Sequence, residues 1–223
     1  MRNGLQLTAA DGHAFDAYIA QPAGTPRGAL VVVQEIFGVN SHVRSVADGY
    51  AADGYLAIAP ALFDRAERGV ELGYAAADIQ RGFALRTACA DDKALLDIAA
   101  AIAHVKGAGK TGIVGYCWGG LLSWLAACKV DGLSAAVTYY GGGMPGQSAL
   151  VGRCPVLAHF GGLDTHIPLD GVLAFGAAQP QVELQLYPSG QHGFNCDQRA
   201  SFDAASAALA RDRTLAFLRA HVG

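Results

Sequence analysis

The segment Gly115-Tyr116-Cys117-Trp118-Gly119 constrains the fold of this chain more than any other part of the sequence. It joins an apolar run, Lys110–Tyr116, that predicts a buried strand to a segment, Gly120–Lys129, that predicts a helix. A nucleophile between small residues two positions away, at a strand-to-helix junction, is the pattern of a nucleophile elbow. The pattern predicts a strained turn that presents Cys117 at the end of the sheet, where the helix N-terminus favours a developing negative charge.

Strand and helix patterns alternate along the rest of the chain. The predicted strands are Leu5–Ala9, His13–Ala20, Ala29–Gln34, Leu56–Pro60, Lys110–Tyr116, Ala135–Tyr140, Pro155–Phe160 and Val182–Tyr187. The predicted helices are 40–54, Asp91–Val105, Gly120–Lys129, Leu169–Ala178 and Ala204–Val222, and the charged segment Asp64–Arg81 is predicted as a long loop or cap. This alternation predicts an α/β fold, with a mostly parallel sheet of about eight strands covered by helices on both faces. A single domain is expected over residues 1–223.

Charge and cysteine content exclude several classes of function. The 16 basic and 19 acidic residues give a net charge of −3, and no basic cluster supplies a nucleic-acid surface. No apolar run has the length of a membrane span, and the N-terminus lacks the apolar core of a signal peptide, so we expect no membrane partner and a cytoplasmic location. The five cysteines are odd in number and form no C-x-x-C pair, which makes disulfides unexpected in a reducing compartment.

An acid and a histidine follow Cys117 in the order that a nucleophile elbow requires. Asp164 follows the strand Pro155–Phe160 through two glycines, and His192 lies in the loop after Val182–Tyr187. Both are therefore expected at the carboxyl edge of the sheet, beside Cys117. The chemistry assigns His192 as the base that takes the thiol proton and later activates water, and Asp164 as the group that orients the imidazole.

Other acids and histidines fit this arrangement less well. Asp131 precedes the strand that would have to present it, and Asp170 is a further competing acid. His159 lies inside an apolar strand and is predicted to be a core histidine with satisfied hydrogen bonds. His166 is the strongest competitor of His192, but it precedes the last strand.

Four segments resemble the dienelactone hydrolase family within the α/β-hydrolase superfamily. They are Gln34-Glu35-Ile36-Phe37-Gly38-Val39-Asn40, Gly115-Tyr116-Cys117-Trp118-Gly119-Gly120, Gly162-Leu163-Asp164 and His192-Gly193-Phe194. The resemblance extends over nearly the whole chain. It implies hydrolysis of an ester or an enol-lactone such as dienelactone through a thioester on cysteine, with no metal or organic cofactor, in an enzyme that is a monomer.

The resemblance also implies roles for further residues. Glu35 matches a buried glutamate that contacts the nucleophile and holds the thiol neutral until substrate binds. The backbone N–H groups of Ile36 and Trp118 match the oxyanion hole, which binds the negatively charged oxygen of the tetrahedral intermediate. Phe37, Tyr74 and Arg81 are candidate substrate-binding residues.

The chain departs from the family at two positions near the histidine. The member that acts on dienelactone binds the substrate carboxylate with arginines, one of them four residues after the catalytic histidine, and has a serine directly after that histidine. Here these positions are Cys196 and Gly193. Of the arginines that could compensate, Arg65, Arg81 and Arg199, each is predicted to lie at the surface.

Three other functions are compatible with the residues. A general carboxylesterase for small esters would use the same triad. A metal site could draw on Cys117, His192, Asp164 and Glu35, of which the first three are types that suit zinc. A non-enzymatic thiol redox sensor would keep the fold and the reactive Cys117 without turnover.

Overall fold

The structure, a computed structural model, describes residues 4–223. Eight strands form one sheet in the order β1-β2-β4-β3-β5-β6-β7-β8. Their bounds are β1 Gly4–Thr8, β2 Ala14–Ala20, β3 Ala29–Val33, β4 Leu56–Pro60, β5 Thr111–Tyr116, β6 Ala135–Tyr139, β7 Val156–Gly161 and β8 Val182–Tyr187. β2 pairs antiparallel with both β1 and β4, and the remaining pairs are parallel.

Six helices cover this sheet on both faces. They are α1 Ser41–Ala52, α2 Ala76–Ala88, α3 Asp91–Val105, α4 Trp118–Lys129, α5 Leu169–Ala178 and α6 Ala204–His221. Helices α3 and α4 pack against each other, whereas α1 and α6 together line a cavity elsewhere on the sheet. Every residue of β3 is buried, as expected for a strand covered on both faces. This confirms the predicted α/β-hydrolase architecture.

The strand order creates a crevice at the carboxyl ends of β3 and β5. From β3 the chain crosses to β4 on one side, and β5 then pairs with β3 on the other side. The loops that leave β3 and β5 therefore diverge, and ligands bind at such topological switch points. Glu35 follows β3 and Cys117 follows β5, so the crevice lies between the first two predicted site segments.

The prediction for the segment Asp64–Arg81 was wrong in part. A short 3-10 helix occupies Leu62–Arg65, and helix α2 begins at Ala76, inside the predicted loop. Only Gly82 and Leu85 of α2 are buried, so the helix lacks the apolar period that sequence patterns detect. Smaller differences are that α4 begins at Trp118 rather than Gly120 and that β3 ends at Val33.

No helix among residues 4–223 combines the length and the apolar character that crossing a membrane requires.

Candidate active site

The turn between β5 and α4 has the backbone of a nucleophile elbow. Cys117 has φ 55° and ψ −114°, a conformation that few residues other than glycine adopt. A Cβ on Gly115 would collide with the carbonyl oxygen of Gly119, and a Cβ on Gly119 would collide with the carbonyl oxygen of Val33. The two glycines are therefore required for the turn to close, as the sequence pattern predicts.

Cys117, His192 and Asp164 form one chain of hydrogen bonds. The Nε2 of His192 lies 3.1 Å from the Sγ of Cys117, and its Nδ1 lies 2.8 Å from the Oδ2 of Asp164. The second carboxylate oxygen of Asp164 accepts hydrogen bonds from the backbone N–H groups of His166 and Ile167, at 2.8 and 3.2 Å. The carboxylate is thus fixed by its own loop, and the imidazole is oriented between acid and thiol.

The hydrogen bonds of this chain make the imidazole a stronger base. Burial disfavours the charge, but the hydrogen bonds with Asp164 and Cys117 outweigh burial and raise the pKa of His192 above its ordinary value. Tyr140 also fixes the ring, since its own ring packs edge-on with centroids 5.2 Å apart. Tyr140 is fully buried and has φ 38°, and the sequence did not indicate it.

Ile36 and Trp118, the residues of the two predicted oxyanion-hole donors, line the same pocket as Cys117. Neither backbone N–H group donates a hydrogen bond to a described residue, and Trp118 is the first residue of α4, where the N–H has no partner within the helix. Helix α2 packs directly on the Ile36 loop, because a Cβ on Gly82 would collide with the carbonyl oxygen of Ile36. Helix α2 therefore supports one of the two predicted oxyanion-hole donors.

Glu35 is buried, but its hydrogen-bond partner is not the one that the family resemblance implies. Its side chain is 1% exposed, and its Oε1 lies 3.2 Å from the Nη1 of Arg199. Within the described residues, no hydrogen bond joins Glu35 to Cys117. The thiol of Cys117 is hydrogen-bonded to His192 instead. The thiol is thus hydrogen-bonded to the imidazole of His192, and the carboxylate of Glu35 is paired with Arg199.

Arg199 lies inside the site, which corrects its predicted surface position. Its side chain is 18% exposed, and its guanidinium lies 5.7 Å from the ring centroid of Phe37. It reaches this position by passing over Gly193, where a Cβ would collide with Nη1 and lie 2.7 Å from Cζ. Gly193 is one of the two departures from the family, and its missing side chain is what makes room for this guanidinium.

A pocket of about 450 Å³ opens over Cys117 and His192. Its other lining residues are Ile36, Phe37, Ile79, Phe83, Arg86, Trp118, Leu121, Gly142, Gly143, His166 and Arg199. Helix α2 contributes Ile79, Phe83 and Arg86, none of which the sequence indicated. The guanidinium of Arg86 lies 5.7 Å from the ring centroid of Trp118 and is paired with Asp91 at 3.1 Å.

Of the three predicted substrate-binding residues, the structure places one in this pocket. Phe37 lines it, whereas Tyr74 lies behind Phe37, with ring centroids 4.6 Å apart, and is hydrogen-bonded to Asn40. The prediction for Arg81 was wrong, because its side chain is half exposed and paired with Glu67 outside the pocket. Arg65 is also outside the pocket, where Asp97 and Asp11 bind it.

The competing residues take other positions. The Nδ1 and Nε2 of His159 lie 2.8 and 3.0 Å from the hydroxyls of Tyr187 and Thr214, as predicted for a satisfied core histidine. His166 lines the pocket, with its ring centroid 5.1 Å from that of His192. A shared metal among the triad residues does not fit, because Asp164 and Cys117 bind opposite nitrogens of one imidazole. All five cysteines are free thiols.

Comparisons with known proteins agree with this site. The model of the dienelactone hydrolase family matches residues 15–222. The chain is 33% identical over 229 residues to the carboxymethylenebutenolidase of Pseudomonas putida, covering 98% of this chain and 96% of that one. A solved structure of a dienelactone hydrolase-type protein from Klebsiella pneumoniae has a TM-score of 0.83 at 30% identity, covering 97% and 98% of the two chains. An esterase from Pyrococcus furiosus has the same fold, with a TM-score of 0.72 at 16% identity over 99% and 92%.

Proposed function

The chain belongs to the dienelactone hydrolase family and is a carboxylic ester hydrolase, and from this premise we propose that it opens enol-lactones and related small esters through a thioester on Cys117. The observation that carries the proposal is the continuous chain of hydrogen bonds from Asp164 through His192 to the thiol. Such a chain transfers the thiol proton to a base that an acid has already oriented.

In the first half of the reaction Cys117 attacks the lactone carbonyl. Its thiol proton passes to the Nε2 of His192, 3.1 Å away, and Asp164 stabilises the imidazolium that forms. The tetrahedral oxyanion accepts hydrogen bonds from the free backbone N–H groups of Ile36 and Trp118. Collapse of the intermediate breaks the ring C–O bond, and the imidazolium returns its proton to the leaving enolate oxygen. The product of this half-reaction is a thioester with the ring opened.

In the second half water hydrolyses the thioester. Neutral His192 takes a proton from the water, and the hydroxide attacks the thioester carbonyl in the same oxyanion hole. The thiolate leaves and recovers its proton from the imidazolium. The ring-opened acid departs, and no metal or organic cofactor enters any step.

The position of Arg199 favours a substrate that carries a carboxylate. It lines the pocket and is paired with Glu35, a side chain whose second oxygen, Oε2, has no hydrogen-bond partner among the described residues. A substrate carboxylate can bind the free N–H groups of this guanidinium. Arg199 thus provides, from three residues further along the chain, the charge that the relative acting on dienelactone carries at the position of Cys196.

The test of the proposal compares dienelactone and p-nitrophenyl acetate as substrates. We expect wild type to turn over both, and Cys117→Ala to abolish both activities while Cys154→Ala, a thiol outside the pocket, keeps them. Mass spectrometry of enzyme quenched during turnover should show an acyl adduct on Cys117. Turnover that survives in Cys117→Ala would refute the mechanism. Reversible oxidation of Cys117 without any turnover would instead favour the thiol sensor.

The role of Arg199 has a separate test. Arg199→Met is expected to lower kcat/KM for dienelactone roughly 10- to 100-fold, mainly through KM, because a charge-assisted contact is worth about 1.5–3 kcal/mol. The neutral acetate should change by less than about threefold. Arg81→Met, outside the pocket, is the matched control. An equal loss on both substrates would contradict a role in carboxylate binding.

A broader carboxylesterase is the second candidate function. The walls formed by Ile79, Phe83, Trp118 and Leu121 are apolar and suit neutral esters. Turnover of the acetate without turnover of dienelactone would keep the mechanism and favour this function.

A further inference from the structure

Three metal-binding side chains lie together outside the active-site pocket. His42, Cys196 and Asp197 each offer one ligand atom, and these atoms all lie within 4.8 Å of one another. His42 is in the first turn of α1, whereas Cys196 and Asp197 belong to the loop that follows His192. The cluster therefore joins that loop to a helix 155 positions earlier in the chain.

The donor set and its spacing suit zinc. Imidazole nitrogen, thiolate sulfur and carboxylate oxygen are the ligands that zinc takes in proteins. The Nδ1 of His42 lies 3.0 Å from the Oδ1 of Asp197. Nitrogen and oxygen ligands of a tetrahedral zinc stand about 3.3 Å apart, given metal–ligand bonds of about 2.0–2.2 Å. The sulfur of Cys196 lies within 4.8 Å of the other two ligand atoms, so a movement of at most about 1 Å brings it to the spacing of a zinc ligand.

His42 presents its Nδ1 to the cluster. Its residue is 4% exposed, and this nitrogen is the one that lies beside the carboxylate of Asp197. Next to the cluster lies a cavity of about 410 Å³, lined in part by His42, Asn195 and Asp197. Water from this cavity can occupy the fourth position of a metal ion.

We propose that His42, Cys196 and Asp197 bind a zinc ion that clamps the loop carrying His192 and Arg199 to helix α1. Zinc holds the three side chains and one water. Zinc binds the thiolate form of Cys196, so binding displaces a proton from sulfur.

The experiment uses the full chain after treatment with a chelator, in a Cys117→Ala background that removes the catalytic thiol as a ligand. Zn²⁺ is titrated by calorimetry, and Co²⁺ by its thiolate charge-transfer absorption. We expect one equivalent to bind, the cobalt band to appear, and the midpoint of thermal unfolding to rise by about 5–10 °C at a hundredfold excess over Kd.

Variants assign the ligands. Cys196→Ala should abolish the cobalt band and weaken Zn²⁺ binding at least a hundredfold, and Asp197→Asn should weaken it about tenfold. Cys154→Ala and Asp131→Asn are the matched controls and should bind as the background does. Asp197 is exposed, so its variant tests the site without disturbing the core. Absence of binding in the background, or binding that survives in both Cys196→Ala and Asp197→Asn, would overturn the proposal.

Discussion

Removing the guanidinium of Arg199 is expected to destabilise the fold far more than neutralising its partner Glu35. The two side chains form an ion pair in which the carboxylate is 1% exposed and the guanidinium 18% exposed. Arg199→Met leaves a buried carboxylate that has lost its counter-charge. One of its oxygens, Oε2, already has no hydrogen-bond partner within residues 4–223, and the other loses the partner that it had. Glu35→Gln leaves a guanidinium that still lines the open pocket, where solvent can reach it.

The burial of the two groups sets the size of the effect. Breaking a buried ion pair by removing one partner costs about 3–5 kcal/mol, and the partial exposure of Arg199 places the cost of Arg199→Met near 3 kcal/mol. Glu35→Gln should cost about 1 kcal/mol, because its partner can be solvated. The double variant has no charge left to desolvate and should cost about 2 kcal/mol. The two substitutions are therefore expected to depart from additivity by about 2 kcal/mol.

Urea unfolding of wild type, the two single variants and the double variant measures this departure from additivity. Arg199→Met should also lower the midpoint of thermal unfolding by about 6–12 °C, given 2–4 °C per kcal/mol for a chain of this length. The matched control is Arg81→Met, which breaks the exposed pair with Glu67 and should change the midpoint by less than about 2 °C. Additive single and double variants, or equal costs for Arg199→Met and Glu35→Gln, would refute the reasoning.

Three further predictions concern the triad, the elbow and the core histidine. Asp164→Asn should lower kcat roughly 10³–10⁴-fold in ester assays, because an amide favours the wrong imidazole tautomer; a loss under tenfold would contradict its orienting role. Gly119→Ala should prevent folding or abolish activity, whereas Gly49→Ala, where an added Cβ lies 3.6 Å from its nearest neighbour, should be tolerated; soluble, active Gly119→Ala would disprove the steric argument. Burial lowers the pKa of His159 to about 3, so the folded state favours the neutral imidazole. The free energy of unfolding is therefore unaffected by this group above the unfolded pKa of about 6.5, and it falls by about 1.4 kcal/mol per pH unit as the pH drops from there toward 3. Urea unfolding at pH 7 and 4.5 should show a loss about 2.7 kcal/mol smaller in His159→Gln than in wild type, and equal losses would exclude this histidine as the cause.

The arrangement of the three predicted triad residues followed from the sequence because each is fixed by a local constraint. Cys117 lies between two glycines, Gly115 and Gly119, whose spacing indicates a tight turn. Asp164 and His192 each follow an apolar strand. Parallel strands bring their carboxyl ends to one edge, so order along the chain predicts proximity in space. The hydrogen bonds at 2.8 and 3.1 Å show that proximity, while the catalytic role of each group stays a prediction.

Helix α2 could not be predicted, because its apolar residues face a pocket rather than the core. Phe83 is 54% exposed and Ile79 is partly buried, and both line the space over Cys117. Helix α2 approaches the carbonyl of Ile36 through Gly82, where an added Cβ would collide, and glycine is a residue type that disfavours a helix. A helix whose apolar side chains line an open pocket has no continuous apolar stripe against the core. Its sequence therefore lacks the helical period of apolar residues and resembles that of a loop.

The glycine after His192 determines how the buried carboxylate of Glu35 obtains its counter-charge. A guanidinium is needed beside buried Glu35, since a carboxylate 1% exposed requires a counter-charge. This charge comes from Arg199, whose side chain crosses the backbone at Gly193. Serine at position 193 would place a Cβ on that path and drive the guanidinium away from Glu35. The absence of a side chain at Gly193 therefore permits the ion pair between Arg199 and Glu35, and the same loop places the small, buried thiol of Cys196 beside His42 and Asp197.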